Sequence, residues 1–248
     1  GRHALALNAG FLPPSVSVVD LESLAETQRL ALPDGWLGLA RNRAGDKVYA
    51  GGGARASVLE LAWRDGRLSL GREFAAMPAE RRRERDFLGD VLLSADEGLL
   101  YAANVFSDRI VTFNARSGVV VGGFRTGSRP YRMRLGLDPD TVWISHWGGA
   151  GVGLYSLTEG RRIETLATGG LPADLLVVPG EVDAALDEEQ DLAPVVARLF
   201  VASANTNSVW VYGLSGPRSA RLLETIDLGP SPEAPAGTAP TALAVSPD

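Results

Sequence analysis

Residues 109–118 read RIVTFNARSG: apolar and polar positions alternate over 111–114 after an Ile-Val pair at 110–111, then the pattern breaks at a Ser-Gly turn. Period-two alternation ending in a turn is the signature of a half-buried strand. Four other stretches read the same way: SVSVVDLES at 15–23, SVLELAWRDG at 57–66, GVGLYSLTEG at 151–160 and SVWVYGLSG at 208–216. One landmark residue in each (Asp20, Ala62, Asn114, Ser156 and Gly213) gives successive gaps of 42, 52, 42 and 57 residues. The two wide gaps carry insertions, one charged around 80–86 and one acidic at 181–196. With about ten and about fifteen residues removed, the period is about 42, inside the range of propeller blades.

Each unit supplies four strand-like runs. An inner strand comes first (WLGLARN, LGDVLLS, YRMRLGL, ADLLVVP, TALAVSP), a second follows (KVYAGG, LLYAAN, TVWISHW, RLFVASAN), then the landmark strand, then a shorter fourth run such as VVGGFRTG or RIETLATG. The implied fold is all-β, a β-propeller of four-stranded antiparallel blades with about five units present. Their expected limits are 34–78, 87–128, 129–170 and 171–230, with a split unit made of 1–33 and 241–248. Joined end to end, the termini would read as one inner-strand hairpin, so the expectation is a fragment cut from a longer array. Small residues recur in the inner strands (Gly38, Gly89, Gly136, Ala173, Ala242, Ala244), as crowding about an axis requires. Helix is expected only in the insertions, over 78–85 and 184–190.

The bulk composition narrows function. The chain of 248 residues has a formal net charge of −6, which disfavours non-specific nucleic-acid binding. It has no cysteine, which removes disulfides, thiolate catalysis and cysteine-ligated metals and is compatible with a periplasmic or secreted bacterial protein. No apolar run reaches the length of about 18 residues that a membrane-spanning helix needs. His3 and His146 are the only histidines, too few and too far apart for a protein-only zinc site. No G-x-S-x-G elbow and no phosphate-binding loop is present, and Gly51, Gly52 and Gly53 read as a turn between strands. No catalytic residue, metal or cofactor is therefore expected in this segment.

The stretches LLYAANVFSDRIVTFNARSGVVVGGFRTGSRPYRMRL (99–135), LFVASANTNSVWVYGLSG (199–216) and APTALAVSPD (239–248) resemble the YVTN β-propeller repeat. SHWGG at 145–149, with the long IDLGPSPEAPAGTAPTALAVSPD at 226–248, looks more narrowly like YncE-like bacterial propellers fused to an alkaline-phosphatase-like phosphoesterase domain. That resemblance implies a seven-bladed ring followed by a metal-dependent domain. The chain has about five units and lacks the metalloenzyme part, so no phosphoesterase residue can be carried over.

Loops from fourth to inner strand and from second to third strand open on one face of a propeller. That face collects Trp36, Arg55, Arg81, Arg82, Arg83, Arg85, Arg109, Arg129, Tyr131, Arg132, His146, Trp147 and Asn205. The opposite face collects Glu22, Glu26, Asp46, Asp65, Asp96, Glu97, Asp138, Asp140, Glu159 and the acidic insertion. Arg129, Tyr131, Arg132, His146 and Trp147 fall in one repeat and, with Trp36 and Asn205, form the candidate ligand site. The run AERRRERD at 79–86 brings Arg81, Arg82, Arg83 and Arg85 together as an anion patch, because planar guanidinium groups donate paired hydrogen bonds to phosphate or carboxylate. The plainer reading of that run is a solvated charged helix laced with Glu80 and Glu84. For the acidic insertion, a solvated loop is favoured over a calcium site, since it lacks the spacing of an EF-hand loop. Asn8, Asn104 and Asn205 read as turn formers.

The leading functional expectation is a non-enzymatic binding or docking module of a longer exported protein, periplasmic or secreted, taking a small anionic ligand or a protein partner. One alternative is an accessory part of a phosphoesterase, guiding an anionic substrate to a catalytic domain that follows in the same chain. The other is single-stranded nucleic-acid binding, with Trp36, Tyr131 and Trp147 stacking bases beside arginines.

Overall fold

The computed structural model describes residues 1–180, 193–229, 231 and 239–246, in two compact units, Gly1–Arg125 and Thr126–Asp248. The helix expected over 184–190 and the calcium reading of the acidic insertion fall on residues outside those described. Among the described residues all regular structure is β apart from short 3-10 turns, and every sheet is an antiparallel meander in chain order.

The first unit holds three sheets. The strands β1 (His3–Asn8), β2 (Ser15–Asp20) and β3 (Ala25–Ala31) make a three-stranded sheet. Four-stranded sheets follow from β4 (Leu39–Arg41), β5 (Lys47–Gly51), β6 (Ser57–Arg64) and β7 (Arg67–Ala75), and from β8 (Leu88–Leu93), β9 (Leu99–Asn104), β10 (Arg109–Asn114) and β11 (Val120–Arg125). The second unit holds two four-stranded sheets. One is β12 (Pro130–Leu135), β13 (Thr141–His146), β14 (Gly151–Ser156) and β15 (Arg162–Ala167); the other is β16 (Pro172–Pro179), β17 (Ala197–Ser203), β18 (Ser208–Gly216) and β19 (Ser219–Asp227). These sheets are the blades of a propeller fragment.

The landmark residues have a physical role. Asp20 Oδ1 accepts the N–H groups of Glu22 and Ser23 at 3.0 and 2.9 Å, Asn114 Oδ1 those of Arg116 and Ser117 at 3.1 and 2.8 Å, and Ser156 Oγ that of Glu159 at 3.0 Å. Each side chain closes the turn from third to fourth strand by satisfying backbone donors locally. Ala62 cannot do this, and its hairpin turns instead through Asp65-Gly66, both at positive φ (49° and 78°), the dipeptide that a two-residue hairpin favours.

The core lies between neighbouring blades within each unit. In the first unit Val16, Val18, Leu59 and Leu61 pack one interface, and Val58, Leu88, Leu100 and Phe113 the next. In the second, Leu154, Leu175, Leu199 and Val201 do the same. The middle strands β13 and β14 are buried at all six positions each, whereas β11 is largely exposed. Each fully buried aliphatic side chain contributes about 1.5–3 kcal/mol. The small inner-strand residues are explained at Gly38, where a Cβ would lie 2.7 Å from both Cα of Asp90 and N of Val91 on the next blade. Gly136 has another reason: its Cβ would strike Thr141 Oγ1 of its own hairpin at 2.2 Å.

Two expected elements differ. The stretch 78–85 is only a single 3-10 turn at Ala79–Arg81, with no side-chain cap and no buried residue, and Arg82 is already extended. With four like charges and no apolar face to bury, nothing stabilises a helix there. Residues 241–245, expected as an inner strand, form none. A strand needs a ladder partner, and among the described residues this stretch has none; instead the Leu243 N–H donates to Asp174 Oδ2 at 2.9 Å.

Candidate functional site

Strand register builds the first site. In the β8–β11 blade Leu88 stands opposite Asn104, Asn104 opposite Arg109, and Arg109 opposite Arg125. This row crosses the blade at the end where the 76–87 connection enters β8 and the 3-10 turn Val105–Ser107 joins β9 to β10. Asp108 closes that turn in the left-handed region (φ 52°), which Asp tolerates, and Arg109 begins the next strand.

A cavity of about 540 Å³ opens at this rim. Its walls carry Arg81, Arg83 and Arg85 from the connection, Arg109 and Arg125 from the row, and Asp86 with Ser107. Met77, Gly123 and Phe124 complete it. A Cβ on Gly123 would lie 3.2 Å from Arg109 Nη2 and 2.3 Å from the Ile110 carbonyl oxygen, so glycine there keeps room for the Arg109 side chain. Among the described residues, none of the five guanidinium groups forms an ion pair with a carboxylate.

Asp86, the one acid in the wall, is occupied. It is buried, its Oδ1 accepts from Asn104 Nδ2 and Ser107 Oγ at 3.1 Å each, and its Oδ2 accepts the Arg83 N–H at 3.0 Å. Burial works to raise its pKa, but these hydrogen bonds and nearby Arg85 hold it below the usual carboxylate range. Asn104 is fully buried, and its Oδ1 accepts the Phe87 N–H at 3.0 Å. It therefore locks the arginine-bearing connection onto the blade and is not a turn former. Asn8 likewise bonds across strands, to Ser15 and Ser17. Of the expected anion patch, Arg81, Arg83 and Arg85 reach the cavity, while Arg82 lies outside its walls with a buried Nε. Arg55 is spent on a two-pronged pair with Glu73, both contacts at 2.9 Å.

The second unit has a rim cavity of its own, about 450 Å³, lined by Arg129, Trp147 and Asn205 with Ser128, Gly148, Gly149, Gly170 and Leu171. The Arg129 guanidinium sits 5.9 Å from the Trp147 ring centre, and Tyr131 stacks on Trp147 at 5.3 Å and 20°. Arg129 has φ 53°, but so does its repeat counterpart Leu171 at 54°; both precede the proline that starts an inner strand, so this conformation belongs to the repeat.

The remaining expected site residues have other duties. His146 is 6% exposed, with Nε2 at 3.0 Å from the Tyr155 hydroxyl, which also accepts the Gly127 N–H at 2.9 Å. Gly127 and Gly153 are so close that a Cβ on either would lie 2.9 Å from its ring. His146 is thus packed inside the blade and does not face the rim, the outcome of its place in a strand buried on both faces. Arg132 Nε lies 3.4 Å and Arg134 Nη2 3.2 Å from Asp174 Oδ1, which holds Arg132 on the inner strands. Trp36 belongs to the first unit, where it meets Phe87 edge-on at 5.7 Å; Phe87 in turn meets Phe106 at 5.4 Å.

Sequence reasoning missed Arg125, Ser107, Phe87 and Phe106. Counting back from the Asn114 turn would set Arg109 opposite Phe124; a register shift between Thr112 and Phe113 brings in Arg125 instead. The glycine pair Gly122-Gly123 within that strand is the one signal of such a bulge in the sequence.

Among the described residues no group of three or more His, Asp or Glu side chains could hold a metal ion, and no helix is long and apolar enough to cross a membrane. No protein-family model matches the chain, and no curated protein matches its sequence. Solved structures do. A protein of unknown function from Desulfotomaculum acetoxidans aligns with a TM-score of 0.70 at 10% identity, over 92% of this chain and 67% of the other. A candidate 6-phosphogluconolactonase from Bacteroides uniformis aligns at 0.68 and 13%, over 92% and 69%, and hydrazine synthase of Kuenenia stuttgartiensis at 0.56 and 12%, over 87% and 81%. At such identities the likeness is one of fold: the chain shares a propeller-type architecture with these proteins.

Proposed function

We propose that this chain is a non-enzymatic binding module for an anionic ligand, part of a longer exported bacterial protein built on YVTN-type repeats. The observation that carries the reading is the arginine cavity: five guanidinium groups around a concavity whose one acid is already satisfied by hydrogen bonds. Guanidinium forks suit phosphate and carboxylate, and a concave site focuses their field even on a chain of net charge −6. The cavity held by Arg129 and Trp147 offers a second cationic and aromatic contact in the other unit.

The test is titration calorimetry of the chain with sodium tripolyphosphate, against the double variant Arg81→Gln/Arg85→Gln. Both positions are exposed, so the fold is preserved. Saturable binding that the variant loses supports the reading; no binding, or equal binding by both proteins, refutes it.

The same cavity supports a second reading, in which the propeller guides an anionic substrate toward a phosphoesterase domain of the same protein. That role would appear as a salt-sensitive kcat/KM that falls in the double variant of the longer protein.

A further inference from the structure

We infer that the arginine cavity takes the phosphate chain of a nucleoside polyphosphate and that the neighbouring aromatic ladder takes its base; this rests on the anion-binding reading above and names its ligand class. The charge sets the first half. Five arginines against one aspartate leave a strong excess of positive charge in one cavity. A single phosphomonoester brings only about −1.5 to −2, so matching the cavity takes more than one phosphoryl group. A volume of about 540 Å³ accommodates a small molecule of that length.

The aromatic ladder sets the second half. Phe87 follows the wall residue Asp86, and Phe106 precedes the wall residue Ser107, so two chain segments each carry a ring one residue from the cavity. The two segments are tied together where Ser107 Oγ donates to Asp86 Oδ1, and Asn104, two residues before Phe106, bonds Asp86 through Nδ2 and the Phe87 N–H through Oδ1. The rings form a series, Trp36 to Phe87 at 5.7 Å and Phe87 to Phe106 at 5.4 Å. Its two end members stay open to solvent, Trp36 at 39% and Phe106 at 45%. Exposed rings beside a cationic groove are the arrangement on which bases stack, and stacking tolerates any base because each has a π-face.

The experiment compares ATP, GTP and sodium tripolyphosphate, each titrated into the chain without added metal. ATP and GTP are expected to bind about tenfold more tightly than tripolyphosphate. The variant Trp36→Ala/Phe106→Ala is expected to erase that gap while leaving tripolyphosphate affinity unchanged. Nucleotides that bind no better than tripolyphosphate overturn the inference, yet leave the anion-binding reading standing; failure of tripolyphosphate itself removes both. The wild-type comparison needs no variant, so it decides the matter even if the double substitution unfolds. A single-stranded oligothymidylate that binds more tightly than ATP, at one strand per chain, would also overturn it, in favour of nucleic acid.

Discussion

Arg109 and Arg125 stand directly opposite each other across the β10–β11 ladder. Like charges at facing positions of an antiparallel pair destabilise it by about 0.2–1 kcal/mol. Such a pairing is tolerated where function uses both charges. Replacing Arg125 by Thr, a good strand former, is expected to raise the unfolding free energy measured in urea without anions by that modest amount and to weaken tripolyphosphate binding. A variant that is less stable and binds unchanged would make the pair a packing feature alone.

Ligand should appear as stability. Anything that binds only the folded chain stabilises it by RT ln(1 + [L]/Kd), about 2.7 kcal/mol at a hundredfold excess over Kd. Thermal scans are expected to show a Tm that climbs with tripolyphosphate, and a climb that shrinks as sodium chloride is raised and screens the exposed arginines. A climb indifferent to salt would point away from the arginines.

The Asp86–Asn104 link is expected to be both structural and functional. Asn104→Ala removes one of the two hydrogen bonds to Asp86 Oδ1 and leaves the Phe87 N–H without its acceptor, at a cost of about 1–3 kcal/mol. It also frees the connection that carries Arg81, Arg83 and Arg85. Because the folded-state pKa of Asp86 is depressed, its stabilising effect is fully present above the unfolded value of about 3.9 and is lost as pH falls through the folded value. Urea midpoints of wild type and Asp86→Asn should therefore differ near neutrality and converge in acid.

Glu164 on β15 behaves in the opposite sense. Its Oε2 is buried with no hydrogen-bond partner, and burial raises its pKa. A raised carboxyl favours the fold when protonated, and that advantage disappears as pH rises through the folded-state value. Glu164→Gln is expected to gain about 1 kcal/mol at neutral pH, with the gain fading below about pH 4. A gain independent of pH would assign the effect to packing.

The blades were legible because each repeat carries its own local chemistry. Alternation within RIVTFN declares a strand, and Asp20, Asn114 and Ser156 close their turns through side chains already visible in the sequence. The candidate sites were legible only by loop. Arg81, Arg83 and Arg85 came together, as did Arg129, Trp147 and Asn205, because loop membership follows from strand order. His146 and Arg132 illustrate what order alone cannot give. Whether a residue at a strand end faces the rim or the interior depends on partners distant in sequence, Tyr155 for one and Asp174 for the other. Arg125 was hidden by a bulge, and Asn104 by being read as a turn former when its amide reaches Asp86, 18 residues away.

In the proposed site five guanidinium groups of one blade rim, none in an ion pair with a carboxylate among the described residues, act together on a polyanion. Arginine-selective NMR, following each side-chain Nε–H during titration with tripolyphosphate, tests it residue by residue. Large, saturating shifts are expected at Arg81, Arg83, Arg85, Arg109 and Arg125, while Arg55 and Arg72, already paired with Glu73 and Glu60, stay in place. Small shifts spread evenly over all arginines, or saturation at Arg55 and Arg72, would contradict it.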